Sequence, residues 1–405
     1  MKNFFKLTGI FLLLIICAAA SLVFYGMKKI PDEIVLTDTS KIESGHIFTF
    51  HKKNDGITSK NASDSYSVSV SLLNIIPVKT SKVYISKRHY VIPGGDIFGL
   101  KIYSDGVIIV GISNVETNTG QECPAEKSGI KKGDIILEIN GKKVKTSDEV
   151  SRLFQNCDGS EMTVKLLRGD TEFTTLFSPV LSNTDGKYKA GLWIRDSAAG
   201  IGTLTYIDPS TGLYGSLGHA VCDTDTDEII PIVNGEAVSA VVTGCYKGTK
   251  GKAGELCGVF SPKHFGTVLI NSNSGAYGEA DNVKFPYELV PVASKSEVKT
   301  GEAQIISTIS GNEKKYYDIE ITKINEKDEN GKNMCIHVTD SELIEKTGGI
   351  VQGMSGSPII QNGMLVGAVT HVFVNDARKG YAIFADSMLE VSDEIYENIK
   401  ISKAS

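Results

Sequence analysis

Gly353-Met354-Ser355-Gly356-Ser357-Pro358 is the stretch that decides how this chain folds and works, and the apolar pair Ile359-Ile360 follows it. Small residues on both sides of Ser355 let the backbone turn sharply, because glycine adopts positive φ at no steric cost. Such a turn exposes the hydroxyl and points nearby N–H groups at a developing oxyanion. An ordinary tight turn in a glycine-rich chain is the alternative.

The hexapeptide resembles the nucleophile loop of chymotrypsin-like serine proteases. It differs from the G-x-S-x-G elbow of α/β-hydrolases, because its second glycine directly follows the serine. The resemblance implies that Ser355 is a nucleophile and that the N–H groups of Gly353 and Ser355 form an oxyanion hole.

Composition limits the classes of protein to consider. A length of 405 residues suggests two or three domains, and 41 glycines against 11 prolines suit a β-rich chain with many tight turns. The net charge of −6 comes without a basic block and gives no argument for nucleic-acid binding. The seven cysteines contain no C-x-x-C pair and form no metal pattern. We expect no metal and no cofactor. Cys245 and Cys257 could be bridged in an exported protein, and buried free thiols are the alternative.

The N-terminus predicts a membrane segment. Gly9 to Tyr25 is an uncharged, mostly apolar run of 17 residues with lysines on both sides. This length lies at the lower limit for a spanning helix, so we interpret residues 1–29 as an uncleaved signal anchor and a cleaved signal peptide as the alternative. Residues 30–88 read as a polar stalk with a short β segment, since Ser67 to Leu72 alternates with a period of two.

The segment 89–182 resembles a PDZ domain. Its sequence PAEKSGIKKGDIILEINGKKV, residues 124–144, matches the helix–turn–strand signature of that family. The resemblance implies a groove between the strand Ile97–Ile102 and the helix Asp148–Asn156, where a peptide adds as an extra strand. Phe98, Gly99 and Leu100 would bind the end of that peptide. A PDZ fold that serves only as a spacer or internal clamp is the alternative.

The remaining residues, 186–405, contain many short strand patterns separated by turns, which predicts a barrel or sandwich. A nucleophilic serine there needs a base and a group that orients the base. Of the seven histidines, His219 lies in the strand-to-turn segment Gly215 to Val221, where the preceding glycine leaves room for a ring facing a cleft. A structural histidine is the alternative.

Two long stretches resemble the stage IV sporulation protein B peptidase family. They are GLWIRDSAAGIGTLTYIDPSTGLYGSLGHAVCDTDT, residues 191–226, and TGGIVQGMSGSPIIQNGMLVGAVTHVFVNDARKGYAIF, residues 347–384. The resemblance implies a mainly β chain with an N-terminal membrane anchor, a PDZ domain, and a chymotrypsin-like double β-barrel peptidase domain over 186–405.

The same resemblance implies a function. It describes a self-cleaving serine endopeptidase of spore-forming bacteria, exported to the forespore side of the intermembrane space. There it would cut a membrane-associated regulator that restrains an intramembrane metalloprotease, and so trigger a late mother-cell sigma factor. Its partners would be protein substrates, itself included, and the membrane.

The resemblance also assigns the site. Carried over by position, His219 is the general base, Ser355 the nucleophile and Asp340 the orienting aspartate. The 15 residues from Asp340 to Ser355 are fewer than in trypsin-like enzymes, which keeps Asp223 and Asp281 open as the acid. A helix N-cap is the alternative for Asp340.

The cleavage specificity and the functional class of the protein remain to be considered. The region near Gly349 carries no acid, which argues against cleavage after Lys or Arg, and His371 would face an acidic or polar P1 residue. A catalytically silent PDZ adaptor is one alternative function. An HtrA-like quality-control protease is the other, although its PDZ domain usually follows the peptidase.

Overall fold

A computed structural model describes residues 2–30, 33–37, 47–52, 65–86, 88–281, 289–328 and 330–404. The chain divides into two compact units, Met1–His89 and Tyr90–Ser405. Each unit is described by itself.

The first unit consists of one long helix and one sheet. Its elements are α1 (Lys2–Lys29), β1 (Glu33–Thr37), β2 (Phe48–Lys52), β3 (Ser65–Leu72) and β4 (Ile76–Ser86). Within α1, the segment Thr8–Lys28 has a mean hydropathy of 2.5 and is long and apolar enough to cross a membrane. An N-terminal helix of this kind can act as a membrane anchor.

The sheet of the first unit has the strand order β1-β4-β3-β2. Val68, Val70 and Leu72 alternate along β3 and are buried, as the period of two predicts. The prediction of a stalk from residue 30 is wrong where β1 and β2 lie, because both strands pair into this sheet. The rest of the predicted stalk, at 31–32, 38–46 and 53–64, lies outside the described residues.

The second unit contains the remaining strands and helices. In its first half these are β5 (Tyr90–Pro93), β6 (Ile97–Ile112), β7 (Val115–Thr117), β8 (Gly120–Glu122), α2 (Pro124–Lys127), β9 (Ile135–Ile139), β10 (Lys142–Lys143), α3 (Ser147–Gln155), β11 (Met162–Arg168), β12 (Thr171–Phe177), β13 (Val180–Leu181), β14 (Tyr188–Lys189) and β15 (Leu192–Ile207). In its second half they are β16 (Leu213–Ser216), β17 (Ile232–Tyr246), β18 (Glu255–Val268), β19 (Ile270–Ser272), β20 (Gly275–Glu279), β21 (Val290–Pro291), a 3₁₀ turn (Lys295–Glu297), β22 (Gly301–Thr308), β23 (Lys314–Ile324), β24 (Met334–Val338), α4 (Ser341–Thr347), β25 (Pro358–Gln361), β26 (Met364–Phe373), β27 (Asp376–Phe384) and α5 (Ala385–Ala404).

Two barrels form the body of this unit. Barrel 2 is closed in the order β22-β23-β24-β27-β26-β25 and is filled by aliphatic side chains such as Ile305, Ile319 and Val366. Barrel 1 runs β6-β15-β16-β20 and returns through β18 and β17. A bridge between Gly266 and Ala280 joins β18 to the end of β20 and completes the ring. The predicted double β-barrel is therefore confirmed.

The PDZ-like segment is inserted into barrel 1. The first half of β6, Ile97–Tyr103, pairs with Ser197–Thr203 of β15 inside the barrel. The second half of β6, Ile108–Ile112, pairs with Leu192–Arg195 of the same strand outside it. Both strands therefore leave the barrel together and carry the inserted domain.

The inserted domain has its own hydrophobic core. Val150 and Phe154 on one face of α3 pack among buried strand residues such as Val107 and Val164. A capping box begins α3, since Thr146 accepts from Glu149 N and Glu149 accepts from Thr146 N. This agrees with the helix that the sequence predicts from Asp148.

The predicted start of the PDZ domain at residue 89 and the predicted peptide strand are wrong. Phe98, Gly99 and Leu100 lie in barrel 1, between β15 on one side and β17 on the other. A strand that is hydrogen-bonded on both edges has no free edge for a peptide. The Phe98 and Leu100 side chains are instead buried in the core of barrel 1.

Candidate active site

His219 lies just after β16, at the edge of barrel 1. The turn that places it uses two consecutive residues with positive φ, Leu217 at +67° and Gly218 at +72°. Positive φ is uncommon for leucine and is retained where the surrounding structure requires it. The turn directs the His219 imidazole toward barrel 2 instead of continuing the strand.

Ser355 lies in the loop that precedes β25 of barrel 2. Gly353 and Gly356 have φ values of +95° and +92°, as the predicted sharp turn requires. A Cβ at position 356 would lie 2.0 Å from the carbonyl oxygen of Thr203, so only glycine fits there. The hexapeptide is a tight turn whose backbone conformation requires glycine at both positions.

Strand β15 fixes this loop from barrel 1. Thr203 donates its N–H to Ser355 O at 2.9 Å and its hydroxyl to Gly353 O at 2.8 Å. Thr205 donates its hydroxyl to Gly356 O at 2.9 Å. The two barrels are thus joined at the serine.

His219 and Ser355 line one cavity of about 590 Å³ between the barrels. Its lining also includes Gly353, Gln352, Arg195, the segment 197–202 of β15 and the loop 219–224. The structure therefore brings the predicted base, the nucleophile and both oxyanion residues to one cleft.

The hydrogen bonding of His219 sets its tautomer. Its Nδ1 lies 2.7 Å from the carbonyl oxygen of Ala220, and a carbonyl oxygen can only accept. Nδ1 therefore carries a proton and donates it, which leaves Nε2 of the neutral ring free to accept another. Burial lowers the pKa of His219 below its usual 6.5, against the opposing effect of the hydrogen bond to Ala220, so the ring is neutral at pH 7.

The serine and the oxyanion donors are in a resting arrangement. Ser355 Oγ donates to the carbonyl oxygen of Thr370 at 2.8 Å. Rotation about χ1 is needed to turn that hydroxyl toward a base. Within the described part of the chain, the N–H groups of Gly353 and Ser355 have no hydrogen-bond partner. Both amides are therefore available to a substrate oxyanion.

A second histidine accompanies the first. The ring of His371 lies on that of His219, with 4.8 Å between centroids and 38° between planes. Burial and the neighbouring His219 lower the pKa of His371 to about 4, so it is neutral when His219 takes up a proton. Sequence reasoning placed His371 near the substrate but missed its contact with the base, since no local signal predicts a ring pair across two barrels.

The structure does not bring Asp340 to His219. Its carboxylate accepts from Leu343 N at 2.8 Å and from Asp318 N at 3.4 Å, at the start of α4. Asp340 is thus the N-cap that was named as the alternative, and the acceptor on Nδ1 of His219 is the main-chain carbonyl of Ala220. Its assignment as the orienting aspartate stays a prediction.

The other two aspartates are also engaged elsewhere. Asp223 lines the catalytic cavity, but its buried carboxylate binds Arg195 and the N–H groups of Asp225 and Thr226. Asp281 accepts from Nδ1 of His264 at 2.6 Å, on the surface.

A second cavity lies in the inserted domain. It has a volume of about 430 Å³ and lies between α3 and the first residues of β15, where Phe154 and Gln155 face Leu192, Trp193 and Ile194. Trp193 is 66% exposed. This cavity is next to the helix that the sequence predicts for a peptide groove, but β15 replaces the strand predicted at Ile97–Ile102.

Two solved structures and one curated protein show partial likeness. The active form of the Rv3671c protease from M. tuberculosis is 16% identical, with 48% of this chain and 72% of that chain covered and a TM-score of 0.29. The PDZ domain of the SdrC-like protein from Listeria monocytogenes is 22% identical, with 22% and 87% covered and a TM-score of 0.19. A Clostridium perfringens protein named as a zinc metalloprotease is 32% identical over 69 residues, so this chain spans about 20% of its length.

Family models match two parts of the chain. The PDZ domain model matches residues 117–168, within the inserted domain. The model of the SpoIVB peptidase S55 matches residues 186–389, which include His219, Ser355 and most of both barrels. The match covers half of the chain, and the chain belongs to the SpoIVB peptidase S55 family of serine peptidases, here with a PDZ domain.

Proposed function

We propose that this peptidase is a membrane-anchored signalling endopeptidase of sporulation that cleaves itself and a membrane-associated regulatory protein. The observation that carries the catalytic part is the common cleft of His219 and Ser355, with two oxyanion amides that have no partner among the described residues. The family match and the apolar helix Thr8–Lys28 support the biological part.

The chemistry follows from the tautomer. Ser355 Oγ turns from Thr370 O toward His219, gives its proton to Nε2 and attacks the scissile carbonyl carbon. The N–H groups of Gly353 and Ser355 receive the oxyanion. The His219 imidazolium then protonates the leaving amine, which breaks the peptide bond and leaves an acyl-serine that water hydrolyses with the same base. The carbonyl of Ala220 holds Nδ1–H throughout.

Incubation of the purified full chain in detergent tests self-cleavage. We expect fragments of defined mass from the wild type and none from Ser355→Ala or His219→Ala. A mixture of wild type with tagged Ser355→Ala shows whether cutting occurs between molecules. Fragments from purified Ser355→Ala alone would overturn the assignment of the nucleophile.

Gene replacement tests the sporulation role. In the organism that makes this chain, a Ser355→Ala allele should block sporulation at a late stage while the protein accumulates in the membrane fraction. External protease added to protoplasts should digest the catalytic region, because the proposal places it on the exported side of the anchor. Normal spore yield with Ser355→Ala would refute this role and leave the peptidase assignment intact.

The PDZ domain is proposed to receive a polypeptide in the cavity between α3 and Leu192–Ile194. The chain has a single tryptophan, Trp193, and it lines this cavity, so its fluorescence reports occupancy directly. A peptide that spans the mapped self-cleavage site should shift the emission of Ser355→Ala protein in a saturable manner. An unchanged spectrum at millimolar peptide would support the spacer interpretation.

An HtrA-like quality-control protease is the second candidate, favoured by the combination of a PDZ domain with a double barrel. Unfolded casein distinguishes the two. A signalling enzyme leaves casein largely intact under conditions in which it cuts itself, whereas a quality-control enzyme degrades it to small peptides. If the protein is instead a catalytically silent adaptor, it should cut neither casein nor itself.

A further inference from the structure

Arg195 lies at the position where the inserted domain meets the catalytic cleft. It follows Ile194, which lines the PDZ cavity, and it lines the catalytic cavity itself. Its guanidinium reaches two carboxylates, with Nη1 on Asp223 at 2.5 Å and Nη2 on Asp225 at 2.9 Å. Both partners belong to the loop that follows His219.

Asp223 depends on this arginine. Its side chain is 1% exposed, and a buried carboxylate without a cationic partner is strongly unfavourable. Its second oxygen accepts from Asp225 N at 2.9 Å and Thr226 N at 3.0 Å. One carboxylate therefore ties the loop to itself and, through Arg195, to strand β15.

The same loop carries the acceptor of the general base. Ala220, whose carbonyl holds Nδ1 of His219, is three residues before Asp223. Asn271 fixes the loop from the other side, since its side chain bonds both the N–H and the carbonyl of Val221 at 2.8 Å. Loss of the Arg195 contact would remove the restraint on this loop from the side of β15. The peptide unit that carries the Ala220 carbonyl would then be held from the side of Asn271, with less restraint on its position relative to Nδ1.

We propose that Arg195 is a positioning residue for peptide hydrolysis: by holding Asp223 it keeps the Ala220 carbonyl on Nδ1 of His219, and it joins the PDZ insertion to the general base. This rests on the proposed roles of His219 and Ser355. The residue acts through the loop and does not itself contact the reacting atoms.

The chain offers a matched control. Arg168 pairs with Asp134 through two nitrogens at 2.6 and 2.7 Å, and the exposures of the two side chains, 39% and 1%, match the 36% and 1% of Arg195 and Asp223. This pair lies inside the PDZ insertion and does not line the catalytic cavity. Removing either arginine should lower the melting temperature, but only Arg195 should affect the serine.

A fluorophosphonate probe measures activation of Ser355 without a peptide substrate. On the full chain in detergent, Arg195→Met should label 10- to 100-fold more slowly than wild type, because a misplaced base loses about that factor. Arg168→Met should label within twofold of wild type at a temperature at which both variants are folded. In steady-state cleavage of a peptide from the mapped self-cleavage site, Arg195→Met should lower kcat and leave KM nearly unchanged.

Lysine variants keep the test decisive if methionine prevents folding. Arg195→Lys retains the charge beside Asp223 but cannot hold both carboxylates. Its labelling rate should therefore lie between those of Arg195→Met and wild type. It should also be several-fold below the labelling rate of Arg168→Lys. A folded Arg195 variant that labels like wild type would overturn the proposal, as would an equal loss in the Arg168 control. Labelling of Ser355→Ala would instead show that the proposed nucleophile is wrong.

Discussion

At the scale of single residues, the hydrogen-bond partner of the catalytic base differs from the one that the sequence suggested. Family resemblance and local pattern located Ser355, His219 and the oxyanion glycine, because each lies in a turn whose glycines mark it. The partner of Nδ1 was not predictable, since a main-chain carbonyl leaves no side-chain signature. The sequence allowed two interpretations of Asp340. The structure shows it as the N-cap of α4, and its role as the orienting aspartate stays a prediction.

The depressed pKa of His219 sets the pH dependence of the enzyme. Only the neutral ring accepts the serine proton, so activity rises as pH increases through the pKa of His219. Burial places that pKa below 6.5, and the rate should therefore persist at pH 6.5 and fall only in more acidic solution. Fluorophosphonate labelling rates across pH check this, and a midpoint above 6.5 would contradict it.

Asp340 gives a separate prediction about stability. Asp340→Ala removes the acceptor for Leu343 N and should lower the free energy of unfolding by about 1 kcal/mol. Asp340→Ser keeps a capping oxygen and should recover most of that loss in thermal or denaturant unfolding. A serine variant that is stable but inactive would show that the carboxylate does more than cap α4, as the family resemblance implies.

At the scale of elements, β15 is the strand on which the site depends. One continuous strand borders the PDZ cavity, holds Asp223 through Arg195 and fixes the nucleophile loop through Thr203 and Thr205. The second half of β15, Gly200 to Ile207, has a strand pattern in the sequence, whereas the first half has no such signal. Apolar and polar residues do not alternate regularly from Leu192 to Gly200, because this part of the strand passes from the sheet of the inserted domain into barrel 1.

Thr203→Val tests the link from β15 to the nucleophile loop. The change leaves the half-buried carbonyl of Gly353 without its hydroxyl donor, which costs about 1 kcal/mol and lets the loop shift. We expect labelling of Ser355 to slow by about tenfold on the basis of such a loss. Thr308→Val is the control, since Thr308 is also buried and donates to a backbone carbonyl, that of Gly95, which is not part of the nucleophile loop. Equal labelling in the two variants would argue against the link.

At the scale of the whole molecule, the PDZ domain is an insertion and not a preceding module. The order of motifs along the chain suggested an anchor, then a PDZ domain, then a peptidase. Local sequence patterns do not show that Ile97–Tyr103 forms a strand of the peptidase barrel. Deletion of residues 89–182 removes a central strand of barrel 1, and we expect insoluble protein.

An internal excision should behave differently. Replacing 106–194 with an Asn-Gly turn between Asp105 and Arg195 keeps both halves of the barrel pair, because Tyr103 pairs with Ser197. The shortened protein should melt cooperatively and still label with fluorophosphonate, while its self-cleavage declines. Failure to label in a folded product would mean that the insertion is needed for the chemistry itself.

The hydrogen bond from Ser104 to the carbonyl of Asp196 joins residues 92 positions apart, and it has a consequence for folding kinetics. Closing a disordered loop of that length costs about 4 kcal/mol by the (3/2)RT ln n relation. An insertion that folds first on its own core brings its two ends together and removes most of that entropy loss before barrel 1 forms. We therefore expect the PDZ domain to act as an internal folding nucleus for the peptidase. A core substitution such as Phe154→Ala should slow refolding of the catalytic barrels, although Phe154 packs in the core of the insertion.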